Sequence, residues 1–169
     1  MLFRSIVLSK KAKYGLKALE YIAKQDQTRS IHTSEISLAE SIPRKFLETI
    51  LLDLKHEGIL KSKQGKNGGY LLLISPEEVT IGRVVRLFDG PIALLPCVSS
   101  NYYEPCNDCE NEAICGLKNI FAEVREATGS ILDKLSLQDI LMREQQLKRR
   151  KSKLLSTTKK SKKIGRAHV

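Results

Sequence analysis

The stretch IPRKFLETILLDLKHEGILKSKQGKNGGYLL, residues 42–72, decides the fold of this chain. Its first half places apolar residues at helical spacing between a proline and a glycine, which predicts a helix from about Pro43 to His56. Its second half places two short apolar runs on either side of a glycine-rich turn, which predicts a β-hairpin over residues 59–74. The apolar stripe of the predicted helix consists of Phe46, Leu47, Ile50, Leu51 and Leu54.

Two shorter helical patterns precede this stretch. Ser9 is suited to cap a helix over residues 9–24, and a short helix follows at about residues 34–40. A short helix, a tight turn and a second helix form a helix-turn-helix, and a basic hairpin behind it makes a winged helix. We therefore predict a mainly α fold with a small β-hairpin wing, in which residues 8–76 form a winged helix-turn-helix DNA-binding domain.

A second region follows over residues 77–141. It combines a helix, a cysteine-rich loop and a long C-terminal helix. The stripe of large apolar residues over residues 117–135 is too rich for a lone exposed helix in a small domain. We predict that two copies of this helix pair across a two-fold axis, so that the protein is a homodimer.

The predicted winged helix carries side chains and backbone groups that suit contacts with double-stranded DNA. A helix has the width of the major groove, where its first turns present side chains to base edges. Glycines in the hairpin let the backbone approach phosphates closely, and the hairpin carries lysines but no acidic residue. Each residue taken alone is equally well explained as solvated surface, but their order favours DNA. The predicted contacts are Arg44, Lys45, Glu48, Thr49, Lys61, Lys63, Lys66, Gly68 and Gly69.

Charge is unevenly distributed along the 169 residues. Residues 1–72 carry 13 Lys/Arg and 7 Asp/Glu, residues 73–144 carry 6 and 12, and residues 145–169 carry 10 and 0. The basic first half suits a nucleic-acid partner. Beyond residue 145 the chain has little to bury, so we predict a basic, disordered tail over residues 142–169 that adds non-specific DNA affinity.

The sequence also argues against several classes of protein. Its longest uncharged stretch has only 14 residues, 90–103, whereas a membrane-spanning helix needs about 20. Residues 1–10 hold no apolar run of signal-peptide length, so we expect a cytoplasmic protein with reduced cysteines and no membrane partner. The chain has no nucleotide-binding glycine fingerprint and its three histidines are scattered, so we do not expect an enzyme.

The four cysteines follow the pattern Cys97-x8-Cys106-x2-Cys109-x5-Cys115. A CxxC pair with two further cysteines nearby is typical of a metal site in a reducing compartment. The segment between the outer cysteines holds four acidic residues and no basic residue, so a bound cation would stabilise it. On spacing alone, a structural zinc site with four thiolates is the best single prediction, with buried thiols or a thiol redox switch as alternatives.

Three segments carry a resemblance to a known family. LSKKAKYGLKAL (residues 8–19), IPRKFLETILLDLKHEGIL (42–60) and GKNGGYLL (65–72) resemble the Rrf-two family of bacterial transcription regulators, which includes IscR-like, NsrR-like, RirA-like and CymR-like proteins. The resemblance extends to about residue 141. It implies a homodimeric winged-helix repressor or activator on a palindromic operator. It also implies that Tyr70 belongs to the wing motif, and that Gln64 stands where many members carry a minor-groove arginine.

The resemblance changes the prediction for the cysteines. Cluster-binding members hold an iron–sulfur cluster, often 2Fe–2S, on three cysteines that correspond best to Cys97, Cys109 and Cys115. Cys106 is additional and is the candidate fourth ligand, while Lys118 stands where some members have a histidine. The predicted cofactor is therefore an iron–sulfur cluster, 2Fe–2S ahead of 4Fe–4S, with zinc as the alternative. A Cys-loop electron-transfer protein is the alternative from another class, but it would need no basic wing.

The two ends of the chain differ from the family pattern. Family members usually begin close to the LSKK-type segment, so residues 1–6 are interpreted as an upstream extension. Residues 164–169 resemble a translated sequencing-library adapter. We expect neither end to be native, and resequencing the locus beyond residue 163 checks this.

Overall fold

The computed structural model describes residues 8–65, 68–100 and 102–164, with residues 153–164 described as backbone alone. The described chain forms six helices and one antiparallel hairpin, which confirms the mainly α winged-helix fold. Lys66 and residues 1–6 and 165–169 lie outside the described residues. Among the described helices, none is long and apolar enough to cross a membrane. The elements are α1 (Lys10–Ala23), α2 (Thr33–Glu40), α3 (Arg44–His56), β1 (Leu60–Lys63), β2 (Gly69–Leu72), α4 (Ile81–Asp89), α5 (Gly116–Lys134) and α6 (Leu137–Ile164).

Local signals set the ends of the first three helices. The Ser9 hydroxyl accepts the backbone N–H of Ala12 at 3.0 Å and so caps α1. Ser41 adopts the left-handed conformation after α2 with φ of 53°, and Pro43 directly precedes α3. Gly58, with φ of 75°, ends the turn after α3, as its lack of a Cβ permits. The helix-turn-helix therefore forms where the sequence predicts it.

The buried core includes residues of α1, α2, α3, the hairpin and α4. Phe46 is the exception in the predicted stripe of α3, because it is 36% exposed and packs edge-on to Tyr14. The remaining members of the stripe are fully buried: Leu47, Ile50, Leu51 and Leu54. Burial of a leucine or isoleucine side chain stabilises a fold by about 1.5–3 kcal/mol, so this stripe fixes the orientation of α3.

The hairpin is joined to the start of α2 by two backbone hydrogen bonds. The N–H of Ile31 donates to the carbonyl of Tyr70, and the N–H of Tyr70 donates to the carbonyl of Ile31, both at 2.9 Å. Gly69 lies beside this bridge with φ of 148°. A Cβ on Gly69 would collide with the carbonyl oxygen of Ile31. The third glycine of the wing motif, Gly69, is therefore required by the approach of two backbone segments.

Helix α4 connects the DNA-binding unit to α5. The Arg83 guanidinium donates to the backbone carbonyl of Glu57 at 2.5 Å and pairs with its carboxylate at 3.0 Å, just beyond the last turn of α3. One turn later, Arg86 donates two hydrogen bonds to Asp133 of α5, at 2.5 and 2.8 Å. A Cβ on Gly82 would collide with the Asp133 carboxylate, so α4 and α5 approach closely.

Helix α6 begins at Leu137, directly after α5, and continues to Ile164. The Ser136 hydroxyl accepts the Asp139 N–H at 3.2 Å while the Asp139 carboxylate accepts the Ser136 N–H at 2.9 Å, a reciprocal cap. The predicted disorder of the tail is wrong for the backbone of residues 145–164, which is helical. This segment contains no glycine or proline and is rich in Lys, Arg, Gln and Leu, which favour helix even where nothing is buried.

Gly69→Ala tests the close approach at the wing. We expect it to lower the free energy of unfolding by about 1–3 kcal/mol, because the hairpin must move away from Ile31 or strain its backbone. Urea denaturation followed by circular dichroism measures the change. Gly116→Ala is the matched control, because a Cβ there meets nothing within 4 Å. Equal stability of Gly69→Ala and the parent would contradict the packing described here.

Candidate DNA-reading groove and cysteine loop

The starts of α2 and α3 and the hairpin tip surround one surface hollow of about 320 Å³. We call it the reading groove. Its described lining consists of His32, Thr33, Ser34, Arg44, Ser62, Lys63, Gln64, Gly65, Gly68, Gly69 and Tyr70. The structure thus brings together six of the predicted DNA-binding residues from two separate elements.

The exposed face of α3 carries the predicted base-reading side chains. The Arg44 Nε lies 3.0 Å from the Glu48 carboxylate, and the two side chains remain 66% and 49% exposed. This pair holds a donor group and an acceptor group side by side at the start of the helix. Lys45 and Thr49 are also exposed, and the Thr49 hydroxyl donates to the Lys45 carbonyl at 3.4 Å. Lys61 is exposed on β1 but does not line the groove.

The first turn of α2 belongs to the groove, although the sequence analysis did not select it. His32 is the N-cap residue of α2, and Thr33 and Ser34 follow it. The N-terminus of a helix attracts phosphate, because its free N–H groups and the helix dipole favour negative charge. The sequence feature that points to this part of the groove is the polar run before the apolar residues of α2. In the fold, this run lies opposite the glycine-rich turn.

The cysteine loop, residues 97–115, brings two of its four thiols close to each other. The Sγ atoms of Cys109 and Cys115 are 3.6 Å apart. Cys97 is buried in a 3-10 turn at the start of the loop. In the part of the chain that the structure describes, no three His, Cys, Asp or Glu side chains converge as a metal-binding group. The four cysteines therefore do not converge as one site.

Hydrogen bonds set the acidity of two of these thiols. Cys115 is the N-cap of α5, and its sulfur accepts the Lys118 N–H at 3.4 Å, which lowers the pKa of Cys115. The hydrogen bonds with Cys106 and Cys115 raise the pKa of Cys109 to about 12. The start of a helix thus favours a thiolate at Cys115, as expected for a sulfur beside free helix N–H groups.

Glu112 is the hub of the cysteine loop, a role that the sequence did not indicate. Its carboxylate accepts the Lys118 ammonium at 2.6 Å and the Cys106 N–H and Tyr103 hydroxyl at 2.7 Å each. These donors, the ammonium above all, hold the pKa of Glu112 at about 2. Lys118 also lies over the Tyr103 ring at 5.5 Å. One carboxylate therefore binds two parts of the acidic loop and the first turn of α5.

Helix α5 presents apolar side chains to the outside. None of its residues is buried. Leu117, Ile120 and Ile131 are 64%, 58% and 60% exposed, and Val124 is 38% exposed. These four residues recur at helical spacing and so form one continuous face. A face of this kind is typical of a surface that meets another protein chain.

The fold and the groove together define a winged-helix DNA-binding protein. Residues 8–143 match the Rrf2 family, which is described as iron-dependent transcriptional regulators. The chain belongs to this Rrf2 (Rrf-two) family of transcriptional regulators, as the resemblance in its sequence implied.

Several proteins that are similar to this chain are named as regulators. The chain is 43% identical over 138 residues to a protein of Rhodobacter capsulatus named as an rrf2-like HTH-type transcriptional regulator, covering 80% of this chain and 92% of that protein. It is 28% identical over 136 residues to the HTH-type transcriptional regulator NsrR of Bacillus licheniformis, covering 80% and 92%. The structure of CymR, the global cysteine regulator of Bacillus subtilis, superposes with a TM-score of 0.64 at 27% identity, covering 83% of this chain and 96% of CymR.

Substitutions in the groove should separate affinity from specificity. Lys63→Ala should weaken binding to every duplex and reduce the slope of log affinity against log salt by about 0.9 for each phosphate contact that is lost. Arg44→Ala or Glu48→Ala should instead change the preferred sequence, by about 1–3 kcal/mol per lost base contact. Fluorescence anisotropy with a selected operator, its single-base-pair variants and a random duplex measures both effects.

Lys134→Ala is the matched control for these variants. It removes one exposed lysine at the end of α5, outside the groove. Its affinities and salt slope should equal those of the parent. If Lys63→Ala, Arg44→Ala and Glu48→Ala all behave like this control, the reading groove is not the DNA contact.

Proposed function

We propose that the chain is a homodimeric transcriptional regulator that reads a palindromic operator in the cytoplasm and senses iron–sulfur or redox status through its cysteine loop. The observation that carries the proposal is the reading groove, where the first turns of two helices and a lysine-bearing wing face one hollow. A helix of this kind enters the major groove while the wing and the helix start contact phosphates. Zinc or a thiol switch in the same loop is the alternative for the sensor.

The exposed face of α5 supports the dimer. Burying Leu117, Ile120, Val124 and Ile131 against the same helix of a second copy removes apolar surface from water at about 25 cal/mol per Å². The helix expected to enter the major groove, the recognition helix, is α3. A two-fold axis through this contact presents both copies of α3 to one side of a duplex. Half-sites then lie about 34 Å apart, or a multiple of that distance, which requires a palindromic operator.

One pair of thiols in the cysteine loop has the spacing of two ligands on a single metal, which supports an iron–sulfur cluster there. Two thiolates on one tetrahedral metal with bonds of about 2.3 Å lie roughly 3.8 Å apart. The 3.6 Å between the Cys109 and Cys115 sulfurs is close to that separation. Thiolates are the usual ligands of such clusters, and the family is described as iron-dependent. Cys97, Cys109 and Cys115 would hold the cluster, 2Fe–2S in preference to 4Fe–4S, with Cys106 as the fourth ligand.

The positions of the cysteines suggest how the sensor acts on DNA binding. When bound, the cluster supplies a redox-active group. The cluster is lost when iron is scarce or when the cluster is oxidised. Ligation would join Cys97, at the start of the loop, to Cys115, at the start of α5. It would thereby restrict α5, which contacts α4 through Asp133 and Arg86. Loss of ligation would shift the population between two arrangements of the winged helix-turn-helix domains of the dimer.

Cysteine substitutions test the sensor. Anaerobically purified protein should be brown with charge-transfer absorption bands if it holds iron–sulfur, and colourless if it holds zinc. Cys109→Ala and Cys115→Ala should lose the colour and change operator affinity together, because ligation also orders the loop. Absorption spectra, iron and zinc content and anisotropy titrations measure these effects.

Cys106→Ala and a control refine this test. Retention of the parental spectrum and potential in Cys106→Ala would mean that the fourth ligand is another group. Ser100→Ala, an exposed neighbour in the same loop, should match the parent throughout. The sensor proposal fails if all four cysteine variants keep full iron and the full DNA response.

Ile120→Asp and Val124→Asp test the dimer. Each places a charge in the apolar face of α5, so we expect monomers whose operator affinity is at least tenfold weaker, since two half-sites no longer act together. Analytical ultracentrifugation and anisotropy measure the two effects. Asn119→Asp is the matched control, because it adds the same charge on the other side of α5. Dimers formed by both apolar-face variants would refute this assignment.

A further inference from the structure

The C-terminal part of α6 lies beyond the family match. The match ends at residue 143, whereas the helix continues to Ile164. Residues 145–164 contain nine Lys/Arg and no Asp/Glu, and we call them the arm. At about 1.5 Å per residue, a helix of this length extends about 30 Å, close to one turn of duplex DNA.

The root of the arm is attached to the DNA-binding unit. Leu137, at the start of α6, is fully buried, and its N–H donates to the carbonyl of Val79 at 2.8 Å. Glu144 pairs with Lys24, just beyond the last turn of α1, at 2.5 Å, and with Lys148 at 2.7 Å. Because the helix is continuous from this anchored start, the arm leaves the domain in a defined direction.

The root also lies at the end of α1 that approaches the reading groove. One turn before Lys24, the Tyr21 hydroxyl donates to the Glu35 carboxylate at 3.4 Å. Glu35 lies in the first turn of α2, and the preceding residues, His32 to Ser34, line the groove. A short chain of contacts therefore connects the arm to the surface where DNA is expected.

The charge of the arm selects the partner. Lys148, Arg149, Arg150 and Lys151 are all exposed. Two such arms repel each other, so a second copy of the arm is a poor occupant, whereas a polyanion gains affinity from every phosphate that a lysine or arginine neutralises. We propose that the arm binds the phosphate backbone of the duplex that flanks the operator. This inference rests on the proposed DNA-reading function and extends it to a second contact surface.

Truncation after Glu144 tests the arm. The probes are a selected operator centred in a longer duplex and a random duplex of equal length. We expect the slope of log affinity against log salt to fall by about 0.9 per lost phosphate contact, so by up to about 3.6 for each subunit of the dimer if the four exposed basic residues each make one. Hydroxyl-radical footprints should become shorter at their outer edges, while the ratio of operator to random affinity changes little.

A full-length variant separates charge from chain length. Lys148→Gln, Arg149→Gln, Arg150→Gln and Lys151→Gln combined keep residues that favour helix and should reproduce most of the loss of slope. Lys10→Gln, Lys13→Gln, Lys55→Gln and Lys134→Gln combined remove the same charge from exposed positions outside the arm. They should leave the outer footprint edges unchanged. Salt slope, footprint and oligomeric state are measured for all variants.

Two results would overturn the inference. One is a truncated protein with the parental salt slope and footprint, and the other is a truncated protein that becomes monomeric, since the arm would then pair with a second copy. With either result, the full-length protein still prefers the operator to the random duplex. Failure of the proposed function is distinct, because the full-length protein would then prefer no sequence in the selection.

Discussion

The paired backbone hydrogen bonds between Ile31 and Tyr70 hold the two sides of the reading groove together. A two-stranded hairpin alone is marginally stable, and here it is fixed to the chain just before α2. The same contact places the wing tip beside the first turns of α2 and α3. Gly69 permits the approach, since any side chain there would occupy the space of the Ile31 carbonyl. The groove is thus a consequence of one backbone contact, on which its basic and polar side chains depend.

Helix α4 connects α5 to the part of the fold that carries that groove. Arg83 binds the residue that follows α3, and Arg86 binds α5, so two arginines one turn apart face two different regions. Both are hydrogen-bonded to carboxylates, and Arg83 also to a carbonyl, which makes them directional contacts. The nine residues of α4 therefore link Glu57, which follows α3, to Asp133 of α5. The cysteine loop lies between α4 and α5 in the chain.

The sequence predicted most of the fold because its signals are local. Ser9, Gly58 and Ser136 mark helix ends through their own hydrogen bonds or backbone conformation, and the apolar stripe of α3 marks its buried face. Phe46 was assigned wrongly because helical spacing does not show which edge of a stripe meets a neighbouring helix. Glu112 was not identified as a hub, since its partners Tyr103 and Lys118 converge only when the loop folds. The helical arm was missed because disorder was inferred from its having little apolar surface to bury, although helix propensity does not require burial.

The absence of any buried residue in α5 has a consequence for the cell. A subunit without a partner leaves the apolar face of this helix in water, so in the proposed dimer its solubility and its resistance to proteolysis depend on how many copies are present. Assembly of that dimer depends on the square of subunit concentration, and occupancy of the proposed two-fold operator follows assembly. Expression level would then be an input to the regulator in its own right.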